Sequence, residues 1–199
     1  LKHMKNVQYY KPNKKNTGHA CSFWVNEDGT IQTSMLKQSG WNEKTRNGTF
    51  SANKDNPMAK VISKLSHTEC ASIISAVRRR TELSAYHRSP KQVLKISFKS
   101  VFDKENVKKH VGYSFSINKE SSEDSTQSAS FYVMFDHGEG EMLAIYLNKA
   151  LDESFTGVNP FAGKKDYTKK VENQSPKPTI KEVPQQETNV TEDFDEGDW

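Results

Sequence analysis

AKVISKLSHTECASIISAVRRR, residues 59–80, is the stretch whose reading decides the fold. Its first seven residues form a short strand. Ser66 followed by Glu69 is a capping box, in which a hydroxyl and a carboxylate satisfy each other's backbone N–H groups at a helix start. Cys70, Ile73, Ile74 and Val77 then fall at i, i+3, i+4 and i+7, one apolar stripe of a helix. The stripe is core, and Cys70 within it is a packing residue. Arg78, Arg79 and Arg80 close the helix, where cations complement the C-terminal dipole and can equally touch phosphate.

Upstream, ACSFWV and IQTSMLK are two strands joined by a turn at Asp28-Gly29. Phe23 and Trp24 alternate in the first of them, and either can face the core. GWNEKTRNGTFS is a polar loop with a second turn at Asn47-Gly48. Downstream of Ser89-Pro90, three segments alternate with period 2: Leu94, Ile96 and Phe98; Tyr113, Phe115 and Ile117; Phe131, Val133 and Phe135. SSEDSTQS is a long hairpin loop between the last two. A second helix, GEMLAIYLNKALDESF, carries Leu143, Tyr146, Leu147 and Ala150 on one face, with acids at its start. The fold class is therefore α+β, antiparallel sheets each followed by a helix. Taken twice, the ββββα-type order has the form of a duplication, although no residue-level repeat marks it. An OB-fold β-barrel is the alternative.

The formal net charge of +4 over 199 residues hides a polarity. Residues 1–111 hold 21 Lys and Arg against 8 Asp and Glu, a balance of +13, whereas residues 112–199 hold 8 against 17, or −9. A basic front with an acidic back points to a polyanion-binding body with an acidic tail. Residues 1–18 are expected to be a flexible basic arm, of which 1–4 have the look of a tag remnant. Residues 19–157 are the folded, nucleic-acid-binding domain. Residues 158–190, broken by Pro160, Pro176, Pro178 and Pro184, are expected to be a disordered linker, and 191–199, TEDFDEGDW, an acidic tip. Two cysteines suit neither a disulfide framework nor a zinc site. No apolar run has the length of a membrane span, and no apolar signal core opens the chain. The expected location is the cytoplasm of a bacterial or phage-infected cell.

Single strands are held by cations that follow the phosphates and by aromatic faces on which bases stack. The basic front offers Tyr10, Trp24, Trp41 and Phe50 for stacking, and Lys14, Lys15, Lys44, Arg46, Lys54, Lys95 and Lys99 for phosphate. An enzyme reading rests on Asp136, His137, Glu139 and Glu141, a set able to hold a divalent metal for nuclease chemistry. A hairpin end running into an acidic helix start explains the same residues. No P-loop, HExxH or nucleophile elbow is present, so no enzyme activity, metal or cofactor is expected.

Residues 59–80 resemble the last strand and helix of a unit of the PC4 transcriptional coactivator, whose fold the plant Whirly proteins share. The resemblance implies a single-stranded nucleic-acid binder, dimeric if one unit is present per chain. The tip is similar to the acidic, aromatic-ended tips of bacterial and phage single-stranded DNA-binding proteins. That likeness implies that Asp193, Phe194, Asp195, Glu196, Asp198 and Trp199 recruit replication, recombination or repair proteins and compete with DNA for the basic surface. An RNA-binding regulator or transcription cofactor is the alternative.

Overall fold

Strand and helix meet at Ser66 as the spacing predicts. The Glu69 backbone N–H donates to Ser66 Oγ (3.2 Å), and the Ser66 N–H donates to the Glu69 carboxylate (2.8 Å). Helix α1 (His67–Arg79) starts there, buries Cys70, Ile73, Ile74, Ala76 and Val77, and stops at Arg80, whose φ of 58° is left-handed. The computed structural model describes residues 4–124 and 127–156. The linker and the acidic tip, with Asp193, Phe194, Asp195, Glu196, Asp198 and Trp199, lie outside the described residues.

Two four-stranded antiparallel sheets flank α1 in sequence. The first contains β1 (Val7–Lys11), β2 (His19–Val25), β3 (Ile31–Lys37) and β6 (Lys60–Leu65), in the order β1-β2-β3-β6. Between β3 and β6, β4 (Gly40–Asn42) and β5 (Asn47–Thr49) form a small hairpin followed by a 3-10 turn, Ser51–Asn53. The second sheet contains β7 (Glu82–Arg88), β8 (Gln92–Phe102), β9 (His110–Ser121) and β10 (Ser128–Phe135), in the order β10-β9-β8-β7, and leads into α2 (His137–Thr156). This is the PC4/Whirly-like plan of sheet and helix taken twice, and its two open sheets set the OB barrel aside. No helix among the described residues is long and apolar enough to cross a membrane.

Inner faces of both sheets and both helices share one core. Phe23, Phe98, Phe115, Phe131 and Phe135 are fully buried in it, and Phe23 stacks on Phe115 with ring centroids 5.7 Å apart. Truncating any one of these rings removes roughly 3–5 kcal/mol. Phe23 is thus the core residue of β2, and Trp24 lies on the opposite face. Cys21 and Cys70 are free thiols, and burial pushes both up to about 12, so they pack rather than react.

Three expectations need correction. Residues 7–11 are not part of a flexible arm but the edge strand β1, paired from Val7↔Phe23 to Lys11↔His19, with Tyr9 buried and its hydroxyl donating to the Glu139 carbonyl (3.3 Å). Two apolar side chains at period 2 suffice to dock it beside β2, and Pro12 ends it. Four strands precede α2 rather than three, because β7 pairs with β8 across its whole length while burying only Leu83 fully. The strand-to-helix junctions of the two units are capped alike, at Leu65-Ser66-His67-Thr68-Glu69 and at Phe135-Asp136-His137-Gly138-Glu139. Asp136 and Glu139 form the second capping box (2.8 and 2.9 Å), which starts α2 at His137, ahead of the expected residue.

Each cap glutamate then reaches the first strand of the other unit. Glu69 Oε1 meets His87 Nε2 on β7 at 2.6 Å, and Glu139 is paired with Lys11 on β1. Burial alone would raise Glu69, but the Ser66 N–H and His87 outweigh it and hold the carboxyl below its ordinary value. A lowered folded value means that the carboxylate stabilises the fold above the ordinary carboxylate range, about pH 4–5, and that this stability is lost as pH falls through the folded value. Glu69→Gln should therefore cost about 1–2 kcal/mol at neutral pH. Urea unfolding across pH checks this: the gap to wild type should close in acid, and a gap constant with pH would contradict it.

Candidate nucleic-acid interface

Alternation on the first sheet sorts its side chains by face. In β6, Val61, Ser63 and Leu65 are buried, so Lys60, Ile62 and Lys64 face outward. The strand register assembles three outward rows: Tyr10, Ala20, Leu36 and Lys60; Gln8, Ser22, Ser34 and Ile62; Trp24, Gln32 and Lys64. No carboxylate stands in any of them. Tyr10 is 58% exposed, and Trp24 is half-buried with its Nε1 donating to Asn26 Oδ1 (2.9 Å), which fixes the ring at the far end of the face.

At the near end, loops gather around one buried amide. Gln38 is 4% exposed; its Oε1 accepts from the N–H groups of Asn13 (2.9 Å) and Gly18 (3.2 Å), and its Nε2 donates to the carbonyls of Asn13 (3.0 Å) and Gly40 (2.9 Å). Four bonds satisfy that side chain's capacity and tie the β1–β2 turn to the β4–β5 hairpin. Pro12 packs so closely on Gly48 that a Cβ there would lie 2.3 Å from the proline ring. Asn53 adds a third loop, donating to the carbonyls of Lys37 (3.0 Å) and Gln38 (3.2 Å).

This clamp brings together residues scattered through the sequence. Lys14 and Lys15 are exposed on the β1–β2 turn, Lys44 and Arg46 on the hairpin tip, and Lys54 after the 3-10 turn. Asn42 Oδ1 holds the tip by accepting from the N–H groups of Lys44 and Thr45, and Arg46 adopts a left-handed φ of 54°. Phe50 lies against Tyr10, centroids 5.9 Å apart, as an aromatic pair beside the lysines. Trp41 is half-buried on β4, with its Nε1 shielded and without a partner.

Lys95 and Lys99 fall elsewhere. They are exposed on the outer face of the second sheet, where Lys95 pairs with Glu120 (2.9 Å) and Lys99 stands opposite Glu82 in the register. That face mixes charges, with Tyr86 and Tyr132 exposed beside them. Lys60 and Lys64 were missing from the sequence-derived set, although the alternation in KVISKL signals them.

The acidic set has structural contacts. Asp136 and Glu139 cap α2, Glu139 also holds Lys11, and His137 Nε2 meets His110 Nδ1 at 3.0 Å. Glu141 lies 3.7 Å from Arg78. Among the described residues no group of three or more His, Cys, Asp or Glu is arranged to hold a metal ion.

Neither protein-family models nor curated proteins give a match to this chain. Solved structures do. WHY3 from Arabidopsis thaliana superposes with a TM-score of 0.54 at 14% identity, covering 78% of this chain and 91% of that one. The plant transcriptional regulator PBF-2 gives 0.54 at 14% identity, covering 78% and 84%, and WHY1 from Arabidopsis thaliana gives 0.50 at 16%, covering 81% and 97%. The chain therefore has the Whirly-like fold, at an identity that speaks for the fold alone.

If Gln38 is the clamp, Gln38→Leu removes the acceptor of the Asn13 and Gly18 N–H groups and a donor from the Asn13 and Gly40 carbonyls. It should lose about 2–4 kcal/mol of stability by urea unfolding. A loss below about 0.5 kcal/mol, the scale of an ordinary surface change, would mean that the loops hold themselves.

Proposed function

We propose that this chain is a sequence-tolerant binding protein for single-stranded nucleic acid, coating single-stranded DNA during replication, recombination or repair. The observation that carries the reading is the outward face of the first sheet: free of carboxylates, furnished with Tyr10, Trp24, Lys60 and Lys64, and continued by the cationic loops that Gln38 clamps. Stacking on such aromatics contributes roughly 1–3 kcal/mol per base with little preference among bases. Phosphates on the loop cations supply the salt-dependent part. The Whirly-like fold supports the same ligand class. The reading is of a binder working in the cytoplasm of a bacterial or phage-infected cell, without catalysis, metal or cofactor.

Fluorescence anisotropy with an oligothymidylate, a matched RNA and a duplex tests it. Tight binding to the oligothymidylate and weak binding to the duplex are expected; equal duplex affinity overturns the reading, and preference for the RNA moves it to an RNA-binding regulator. Replacing Lys44 by Gln and Arg46 by Asn, which tolerates the left-handed backbone, should flatten the slope of log K against log salt by about 1–1.4, since each phosphate contact on a single strand contributes about 0.7. An unchanged slope would take the hairpin tip out of the interface.

The acidic tip completes the proposal. Tethered through residues 158–190, it meets the basic surface at high effective concentration until nucleic acid displaces it, freeing Phe194 and Trp199 for a protein partner. Deleting residues 191–199 should tighten oligothymidylate binding, most at low salt; unchanged or weaker binding would sink the self-competition.

A further inference from the structure

The β8–β9 hairpin outruns its own sheet. Pairing with β7 stops at Lys99 and pairing with β10 at Tyr113, yet Ser100, Val101 and Phe102 continue opposite Tyr113, Gly112 and His110, with a register shift between Val101 and Phe102. Residues 103–109 close the projection, and their turn is well tied. Asp103 Oδ1 accepts from the N–H groups of Glu105 (2.9 Å) and Asn106 (3.1 Å), Asn106 Oδ1 accepts from the Lys108 N–H (3.2 Å), and the Asp103 N–H donates to the Lys109 carbonyl (2.8 Å).

Val107 stands on that turn and, at 75%, is the most exposed large hydrophobic residue among the described residues. Asp103 and Asn106 build the turn, so its geometry does not call for a valine. A lone exposed valine is ordinary on a surface, but this one is held out on an ordered projection among cations. Lys104, Lys108 and Lys109 are exposed around it, against Glu105 and Asp103, of which the turn uses Asp103. The root of the hairpin also borders the cationic loops. Val111 of β9 shares a cleft of about 610 Å³ with Lys11, Asn13 and Thr17, and Lys14 and Lys15 belong to that same β1–β2 turn.

We infer that this tip is a wedge for the junction between single-stranded and double-stranded nucleic acid, with Val107 entering beside the last base pair and Lys104, Lys108 and Lys109 on the flanking phosphates. The inference rests on the proposed single-strand function and adds a helix-opening step to it. Apolar side chains on projecting elements unstack base steps in this way, and a β-branched one is stiff enough to hold its place. One valine offers a protein pocket little area, whereas lysines on either side of it match the phosphates on either side of a base step. The strand set free has the β1–β2 turn beside the hairpin root as its seat.

Fluorescence of 2-aminopurine, quenched while the base is stacked, tests this on a forked DNA whose single-stranded arm is an oligothymidylate of about ten residues, inside the span such domains cover. The fluorophore replaces the adenine of the junction pair or, as the control, of a pair deep in the duplex. Binding of the full chain, followed by anisotropy, should raise the junction signal and leave the deep one unchanged. Val107→Ser should lose most of that rise with oligothymidylate affinity unchanged, and Val107→Leu, which restores an apolar tip, should keep it. A fork bound with no rise at the junction overturns the wedge and leaves the single-strand function standing. A rise that Val107→Ser retains, one that Val107→Leu loses as fully, or one equal at the deep position also overturns it. Absence of any oligothymidylate binding removes both.

Discussion

Both helices among the described residues start a single cap residue after a strand, and the glutamate that makes this possible is also the one that joins the two units. A helix start leaves N–H groups unpaired, and Ser66 with Glu69, like Asp136 with Glu139, satisfies them locally. The second oxygen of each carboxylate is then spent across the molecule, on His87 and Lys11. Local capping and long-range pairing are thus one interaction. Each cap fixes the edge strand of the opposite sheet, and those strands set where the aromatic core closes.

With the core shared, the two outer faces are free to differ. The backbone plan is repeated but the surfaces are not: the first sheet turns out aromatics, amides and lysines, while the second balances Lys95 with Glu120 and sets Lys99 against Glu82. A face of one sign concentrates potential, whereas a mixed face cancels its own within a Debye length of about 8–10 Å. Among the described residues it is the first sheet whose outward rows carry lysines without a facing carboxylate.

Period-2 and period-3.6 patterns made the core strands and both helices legible in the sequence. Their failures have physical causes. In β1 the pattern is only Val7 and Tyr9 alternating with Gln8 and Tyr10, too short a signal without the partner strand. In β7, Leu83 is the only strongly apolar inward residue, and pairing to β8 does the rest. Phe23 and Trp24 were indistinguishable because both are large and apolar; the choice belongs to Phe115 across the core. The second capping box was not legible because polar caps are ignored by hydrophobic patterning. For the interface, Lys14, Lys15, Lys44, Arg46, Lys54, Tyr10 and Phe50 were named from type alone. Their convergence was illegible because a buried glutamine sequence-distant from most of them causes it.

That glutamine also explains how so much like charge is tolerated. Cations crowded on adjacent loops repel one another, and loops of this composition have little apolar surface to hold them down. Gln38 offsets the repulsion with four hydrogen bonds in a dry site, where each is stronger than in water and where breaking one leaves an orphaned group. Glu43 beside Lys44 and Asp55 beside Lys54 offset only part of the charge of the five loop cations. The excess that remains is a local conflict of the kind that the proposed ligand would relieve, because a polyanion supplies the missing negative charge when it arrives. The cost of assembling the cations is met in the fold, so the ligand finds them already in position.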